Sequence, residues 1–121
     1  MEVFGLGKAG GFTRGKLTIE LVPQGQWGTN LRSELPRKEW DRLRKSVYKA
    51  ANYRCEVCGG KGPRWPVECH ERWEYDESTK VQSLVGLIAL CPPCHEVKHI
   101  GRAGVMGRSA HALAHLMKVN E

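Results

Sequence analysis

The 121-residue sequence has no long apolar run, no low-complexity tract and no repeat larger than two short cysteine motifs. A membrane-spanning helix needs about 20 consecutive apolar residues, so this absence argues against a transmembrane protein. The first 16 residues, MEVFGLGKAGGFTRGK, also lack the apolar core of roughly 7–15 residues that a secretory signal carries. We therefore expect a cytoplasmic protein without a membrane partner.

The length suits a single domain, since domains usually have about 100–200 residues. Residues 1–16 contain five glycines and little apolar periodicity, which predicts a flexible arm followed by one domain over residues 17–121. A domain of this size buries only roughly two-thirds of the surface of its unfolded chain. A bound metal ion would therefore help to stabilise such a modest core.

The positive charge is concentrated in the first half of the chain. Residues 1–54 hold 11 Lys or Arg against 5 Asp or Glu, whereas residues 55–121 hold 8 of each, and the net charge is +6. Because contacts to phosphates depend on Lys and Arg, this asymmetry predicts a surface that faces nucleic acid. A basic face that only improves solubility is the alternative.

A helix is predicted from Pro36 to Ala51. Its apolar residues Trp40, Leu43, Val47 and Ala51 recur at helical spacing and should pack on the rest of the domain. The other faces are basic and are expected to contact a nucleic-acid backbone through Arg37, Lys38, Arg42, Arg44, Lys45 and Lys49.

Four of the five cysteines form two C-x-x-C motifs separated by 32 residues. The motifs are CEVC, with Cys55 and Cys58, and CPPC, with Cys91 and Cys94. Two such pairs supply the four thiolates of a tetrahedral structural Zn²⁺ site. Disulfides are not expected, because the cysteine count is odd and no export signal is present. Two separate redox pairs would require a thioredoxin-like βαβ pattern, which the sequence lacks.

Residue types predict the remaining elements. A strand is predicted at Leu17–Val22, and a second at Val67–His70, followed by a turn and an acidic stretch to Glu77. The segment VQSLVGLIALC is predicted to be extended, with a break at Gly86. A helix that ends at Ile100-Gly101 follows, and a closing helix from about Ser109 is expected to bury Leu113, Leu116 and Met117. Trp65 and Trp73 are predicted core aromatics of the hairpin, with base stacking as the alternative.

Histidines follow the second cysteine motif in LCPPCHEVKH. His95 and His99 are four residues apart on a predicted helix, so both imidazoles point to the same place and can share a metal ion. His111 and His115 have the same spacing but no flanking ligands, so no site is expected there.

The two cysteine motifs, the VECH segment that ends at His70, and LCPPCHEVKH together resemble the HNH nuclease family. This family is also known as the His-Me finger or ββα-metal nucleases, and the resemblance covers residues 50–102. It implies an α+β fold in which a zinc-stapled ββα-metal unit has a preceding basic helix, an N-terminal strand or arm, and a C-terminal closing helix. It also implies that His70 is the catalytic general base, while His95, His99 and the residue before the base, here Cys69, hold the catalytic ion.

The sequence departs from the family pattern at two positions. Cys69 is a soft ligand where the family commonly has Asp or His, and Gly86 replaces the asparagine that usually helps to orient the base. If Cys69 shares an ion with His95 and His99, as the resemblance implies, the ligand set suits zinc and leaves a fourth position open. Cys69 is equally well interpreted as a small buried residue. Glu71 could support an imidazole or the metal instead.

We therefore expect a metal-dependent endonuclease that hydrolyses double-stranded DNA with low sequence specificity. Its cofactors would be a structural Zn²⁺ and a second, catalytic ion, which could be Zn²⁺, Mg²⁺, Mn²⁺ or Ni²⁺. The alternative is a weakened or inactive zinc-finger module that binds nucleic acid or a protein partner. In a third interpretation the histidines hold a second, purely structural zinc.

Overall fold

The computed structural model describes residues 2–3, 17–20 and 30–121, which form a small α+β fold. No helix in these ranges is both long enough and apolar enough to span a membrane. In chain order the elements are β1 (Glu2–Val3), α1 (Leu31–Glu34), α2 (Arg37–Ala50), β2 (Glu68–Asp76), β3 (Val81–Leu90), α3 (Pro92–Lys98), α4 (Ile100–Val105) and α5 (Ser109–Val119).

The central strand of the sheet is β3, which pairs antiparallel with β2 and parallel with β1. The hairpin is longer than the sequence pattern suggested. The acidic segment expected as a turn continues β2 as far as Asp76, which pairs with Val81. Cross-strand hydrogen bonds keep these residues extended. Their polar side chains are compatible with a strand because one face of an antiparallel sheet can stay in water.

A β-bulge keeps the apolar side chains of β3 on one face. Between the pairs Arg72 with Gly86 and Trp73 with Leu84, β3 contains one extra residue. Side chains alternate along a regular strand, so Leu84 and Leu87, which are three residues apart, would face opposite sides if the strand had no bulge. With the bulge, both pack in the same buried cluster under α2. The predicted break at Gly86 is therefore a bulge inside a continuous strand.

The predicted basic helix is confirmed as α2, Arg37–Ala50. Its apolar stripe packs on the sheet, where Trp40, Val47 and Leu84 belong to one buried cluster. Leu84 is fully buried, and burial of such a side chain contributes about 1.5–3 kcal/mol. Trp73 packs against this cluster as expected, but Trp65 is not a core residue, since it is 49% exposed.

The opposite side of the sheet is covered by α3, α4 and α5. A second buried cluster joins Leu90 of β3, Val97 of α3 and Ala112 of α5. The helix that carries His95 ends at Lys98, two residues before the predicted end at Ile100-Gly101, but the short helix α4 then begins at Ile100. The closing helix is present as α5, and Ala112 with Leu116 makes its core contacts.

Two residues expected to be buried by α5 are exposed instead. Leu113 is 43% exposed and Met117 is 72% exposed. They lie on the side of α5 that faces away from Ala112, which is completely buried. The sequence pattern identified the helix but assigned these two residues to the wrong side of it.

The N-terminal part of the domain is held by side chains rather than by a sheet. Leu17 N–H donates to Asn120 Oδ1 and Leu17 O accepts from Asn120 Nδ2, both at 2.8 Å. The strand predicted at Leu17–Val22 is therefore absent over residues 17–20, and residues 21–22 lie outside the described residues. Glu2 and Val3 pair with β3, although the sequence predicts a flexible arm there, and residues 4–16 of that arm are also outside the described residues.

Candidate metal centres

The described residues contain a cluster of the four cysteines from the two C-x-x-C motifs. The sulfur atoms of Cys55, Cys58, Cys91 and Cys94 all lie within 4.8 Å of one another. Cys58 Sγ and Cys91 Sγ, one from each motif, are 3.7 Å apart. None of the four forms a disulfide within the part of the chain that the structure describes, and all but Cys58 are buried. The fold thus brings together the two pairs that the sequence predicts to share one ion.

The backbone around the first motif donates hydrogen bonds to the sulfurs. Cys58 N–H donates to Cys55 Sγ, and Gly60 N–H donates to Cys58 Sγ, each at 3.4 Å. Gly59 makes the turn possible with a φ of 77°, a left-handed conformation that glycine adopts without steric cost. Donors aimed at sulfur stabilise thiolates, which are the form that binds metal.

The first motif is attached to the end of β3. Glu56 N–H donates to Ala89 O at 2.9 Å, and Glu56 Oε2 accepts from Ala89 N–H at 2.6 Å. Since Ala89 lies two residues before Cys91, these bonds align the first motif with the second. The positions of the sulfurs therefore follow from main-chain pairing as well as from the short motifs.

The electrostatics of the cluster fit a bound cation. Hydrogen bonds from Cys91 and Cys94 lower the pKa of Cys55, whereas the proximity of Cys55 raises the pKa of Cys91 to about 12 and also that of Cys94. Without a cation, one thiolate thus suppresses the ionisation of its neighbours. Four sulfurs in tetrahedral reach of one point are compatible with a structural metal ion such as zinc.

A histidine that the sequence interpretation left without a role contacts this cluster. His115 Nε2 lies 3.2 Å from Cys94 Sγ, within reach of an N–H to sulfur hydrogen bond. Its partner in spacing, His111, instead contacts Glu96 Oε1 at 3.1 Å, on the surface. The four-residue spacing of His111 and His115 could not by itself predict that one contacts the cysteine cluster and the other lies on the surface.

The second candidate centre contains three histidines from two elements. His70 is on β2, His95 is on α3, and His99 is the residue that follows α3. One ring nitrogen of each lies within 4.8 Å of the others, and the ring centroids are 4.8–5.2 Å apart. His95 and His99 meet as their spacing predicts, and His70 joins them from the sheet.

The spacing of the ring nitrogens fits a tetrahedral ion. The Nε2 atoms of His95 and His99 are 3.2 Å apart. Zinc-to-nitrogen distances of about 2.0–2.1 Å with tetrahedral angles place two ligand nitrogens about 3.3 Å apart. These two nitrogens therefore already have the separation that a shared tetrahedral cation needs.

Two carboxylates hold the imidazoles from outside the cluster. Glu68 Oε1 accepts from His95 Nδ1 at 2.9 Å, and Glu20 Oε2 contacts His70 Nε2. The hydrogen bond from His95 lowers the pKa of Glu68. Burial raises the pKa of Glu20, but the hydrogen bond with His70 and the nearby positive charges, including Lys98, together lower it below its usual value. Ionised carboxylates only accept, so the protons of these imidazoles lie on His95 Nδ1 and His70 Nε2.

This arrangement leaves lone pairs where a cation would use them. His95 presents Nε2 to His99, while His70 Nδ1 is buried and has no hydrogen-bond partner among the described residues. A buried lone pair without a donor is costly unless another group, such as a metal ion, satisfies it. The donor set therefore fits a divalent metal that accepts imidazole nitrogen.

Two of the histidines, His70 and His99, have a lowered pKa, which favours the neutral form that metal ligation requires. Burial lowers the pKa of His70, although the contact with Glu20 acts in the opposite direction. The pKa of His99 falls to about 4, because desolvation and repulsion from His95 and His70 disfavour its charged form. No proton has to leave these two rings before an ion binds near pH 7.

The structure does not bring Cys69 to the histidines. Neighbouring residues on a strand point to opposite faces, so Cys69 faces α2 while His70 faces α3. Cys69 packs against the cluster of Trp40 and Leu84, and burial raises its pKa to about 12. The environment is that of a buried thiol, which was the second interpretation of this residue.

Glu71 also lies on the α2 side, where its Oε1 accepts from Leu31 N–H. It therefore caps α1 rather than supporting an imidazole. Gly86 pairs with Arg72, two residues beyond His70 along β2, so a side chain at that position would not lie directly opposite the histidine. Glu20 takes the orienting position instead, and no sequence signal near His70 pointed to it.

The predicted nucleic-acid-binding residues lie along α2. Arg44 Nε is 3.0 Å from Asp41 Oδ1, and Arg42 Nη2 is 2.9 Å from Glu39 Oε1, so these two cations are partly neutralised within the helix. Arg37 is exposed and lies 3.9 Å from Asp41. The lysines of this helix are exposed, and they are Lys38, Lys45 and Lys49.

Comparison with known proteins does not assign this chain to a family. No protein-family model matches the chain, and neither a curated protein nor a solved structure matches it. What is established is a small α+β fold with a four-cysteine cluster and a three-histidine cluster, each able to hold a metal ion.

Proposed function

We propose that this chain is a metal-dependent endonuclease of the ββα-metal (HNH) kind, which hydrolyses phosphodiester bonds of DNA with low sequence specificity. The observation that carries the proposal is the convergence of His70, His95 and His99 from a strand and a helix. The four-cysteine cluster next to them acts as the structural zinc site that aligns the hairpin with α3.

The contacts of His70 favour the role of a third ligand over that of the general base. Its side chain is only 4% exposed, and Glu20 occupies one ring nitrogen. A general base has to come within hydrogen-bond reach of the water that it deprotonates. A sealed imidazole with an unpaired buried Nδ1 is better suited to an ion than to a mobile water molecule.

A divalent cation held by the three histidines would supply charge neutralisation at a phosphodiester and would make a water molecule more acidic. The contribution of the protein would be to orient the imidazole rings that bind the cation. Glu20 and Glu68 each accept one imidazole N–H, which fixes the tautomers and leaves the lone pairs on His70 Nδ1 and His95 Nε2. Such outer contacts typically change metal affinity or activity by about 10–100-fold.

A positive charge near the histidines supports the proposal that this site binds a phosphate group of the substrate. Arg102 of α4 lies on the same groove as His95 and pairs with no carboxylate of the described residues. A guanidinium can bind two oxygens of one phosphate. Arg102 is therefore the residue of α4 that we assign to substrate binding.

The second candidate function is a zinc module that binds nucleic acid or a protein partner without cleavage. It is favoured by Gly86, which has no side chain to assist catalysis, and by the position of Cys69 away from the histidines. Exposed apolar residues of α4 and α5, such as Val105 and Met117, would suit a protein partner.

Plasmid nicking in the presence of Mg²⁺, Mn²⁺, Ni²⁺ or Zn²⁺ tests the proposal. We expect His70→Ala and His99→Ala to reduce cleavage by more than about 100-fold. His111→Ala should retain cleavage, since this exposed histidine contacts only Glu96 and Arg108. Circular dichroism and zinc content of each variant control for folding.

Cleavage of equal rate in all three variants would refute the histidine centre. Absence of cleavage in wild-type protein with every metal, together with retained DNA binding, would favour the non-catalytic module. Two tightly bound zinc ions per chain without cleavage would favour a purely structural second site.

A further inference from the structure

We propose that a groove beside the three-histidine cluster binds the unpaired bases of a single-stranded polynucleotide. This inference rests on the proposed function and narrows its substrate class. The groove has a volume of about 960 Å³ and runs from α2 to His95. We name it the arginine–aromatic groove, after Arg32, Arg37, Arg44, Arg102, Tyr53 and Trp65 in its lining.

The location of the groove connects a cationic surface with the candidate metal centre. One wall is α2, and the other contains Trp65 and the beginning of β2. Glu68 and His95 lie in the lining at the end near the histidines. A chain of nucleotides in the groove would thus bring a backbone phosphate next to this centre.

Two of the four arginines in the groove lining, Arg32 and Arg102, are available for phosphates. Neither Arg32 nor Arg102 forms an ion pair within residues 2–3, 17–20 and 30–121. Arg44 pairs with Asp41, and its guanidinium lies 6.0 Å from the ring centroid of Tyr48. Arginine can contact phosphate and base faces alike, because its guanidinium is planar and always charged.

Two of the aromatic residues in the groove lining are exposed. Trp65 is 49% exposed and Tyr53 is 46% exposed. Trp65 Nε1 donates to Glu68 Oε2 at 2.9 Å, and the other oxygen of Glu68 accepts from His95. The indole is therefore held in place by the same carboxylate that orients a histidine of the centre.

Exposed rings beside arginines suit unpaired bases better than a duplex. In a duplex the faces of the bases are covered by their neighbours, whereas in a single strand each face is free to stack on an aromatic side chain. A duplex would be held mainly by backbone contacts with the outer lysines, such as Lys45 and Lys49. The lining of the groove thus selects strands, loops or flaps in which bases are accessible.

Fluorescence anisotropy on zinc-loaded protein without added divalent ion tests this inference separately from cleavage. The probes are a labelled 20-mer of thymidine, a 20-mer of uridine, and a 20-base-pair duplex at the same ionic strength. We expect tighter binding of one or both single strands than of the duplex. The two single strands distinguish DNA from RNA as the source of the bases.

Trp65→Ala should weaken binding of the single strand by about 5- to 150-fold, which is the effect of losing one stacked base. Binding of the duplex should change less than 2-fold. The matched aromatic control is Tyr75→Ala, on β2 outside the groove. Arg32→Ala should weaken single-strand binding, whereas Arg42→Ala, outside the groove and paired with Glu39, should have a smaller effect.

Quenching of tryptophan fluorescence gives a readout that reports stacking. Wild-type protein should be quenched by the thymidine strand, and Trp65→Phe should lose that part of the quenching while retaining most of the affinity. Preference for the duplex, or equal affinity of wild type and Trp65→Ala for single strands, would overturn the groove inference. Because no cleavage is involved, either result leaves the test of nuclease activity unaffected.

Discussion

Replacing Glu20 with alanine should weaken cation binding at the three-histidine cluster and leave the four-cysteine cluster intact. In the folded protein Glu20 Oε2 contacts His70 Nε2 and keeps the proton on that nitrogen. Without the carboxylate, the proton can move to Nδ1, the atom that we assign to the cation. The variant would then need a change of tautomer, at a cost in free energy, before His70 binds a metal ion.

The expected loss can be worked from this one contact. A hydrogen bond to a charged group contributes about 1.5–3 kcal/mol, which corresponds to about 10- to 150-fold in a binding constant. The side chain of Glu20 is 32% exposed, so water partly screens the interaction. We therefore expect a loss in the lower part of this range, about 10- to 30-fold in cation affinity.

Cobalt provides the assay, because Co²⁺ in a tetrahedral site absorbs visible light. Protein whose four-cysteine cluster already contains zinc is titrated with Co²⁺, and the dissociation constant is read from the absorbance. Glu20→Gln should show a smaller loss than Glu20→Ala, since its amide oxygen can still accept from Nε2. Glu74→Gln, an exposed carboxylate elsewhere on β2, is the matched control and should bind like wild type.

Nitrogen-15 shifts of the His70 ring supply a second readout that a general loss of stability would not produce. Wild-type protein should show the tautomer with the proton on Nε2, and Glu20→Ala should show a mixture. Unchanged affinity together with an unchanged tautomer in Glu20→Ala would refute the orienting role of Glu20.

Two further predictions concern the scaffold and the basic helix. Removing zinc with a chelator, or replacing Cys91 with serine, should abolish the near-ultraviolet circular dichroism of the native protein. The reason is that binding of a structural zinc ion contributes about 10–16 kcal/mol to folding, whereas the free energy of unfolding of a domain is only about 5–15 kcal/mol. A native spectrum after zinc removal would contradict this. Replacing Arg42, Lys45 and Lys49 with alanine should make the plot of log K for nucleic-acid binding against log salt concentration less steep. The slope should fall by about 0.7–0.9 for each phosphate that the variant no longer neutralises, and fluorescence anisotropy measures it. A slope equal to that of wild type would mean that this face of α2 does not touch nucleic acid.

Several features could be predicted because their signals are local. The stripe of Trp40, Val47 and Ala51 is a helical period, and α2 forms where it predicts. The C-x-x-C motifs indicated a shared metal site, and the four sulfurs converge. The spacing of His95 and His99 also sufficed to bring two imidazoles together.

Other features could not be predicted, because they depend on contacts between distant parts of the chain. The length of β2 depends on pairing with β3, which outweighs the turn-like composition of its acidic end. Glu20 reaches His70 only because Asn120 and Lys98 hold residues 17–18, through bonds to Leu17 and Thr18. Local sequence around Glu20 contains no sign of these contacts.

By itself, the sequence determined which residues could bind metal and which segment would be a basic helix, since spacing along a helix or within a cysteine motif sets geometry over a few residues. Only the tertiary structure decided which candidates share a site. Strand alternation directs His70 to α3 and Cys69 to α2, and this choice of face depends on which helix covers each side of the sheet. The groove that joins α2 to the histidines likewise exists only after elements far apart in the chain have packed together.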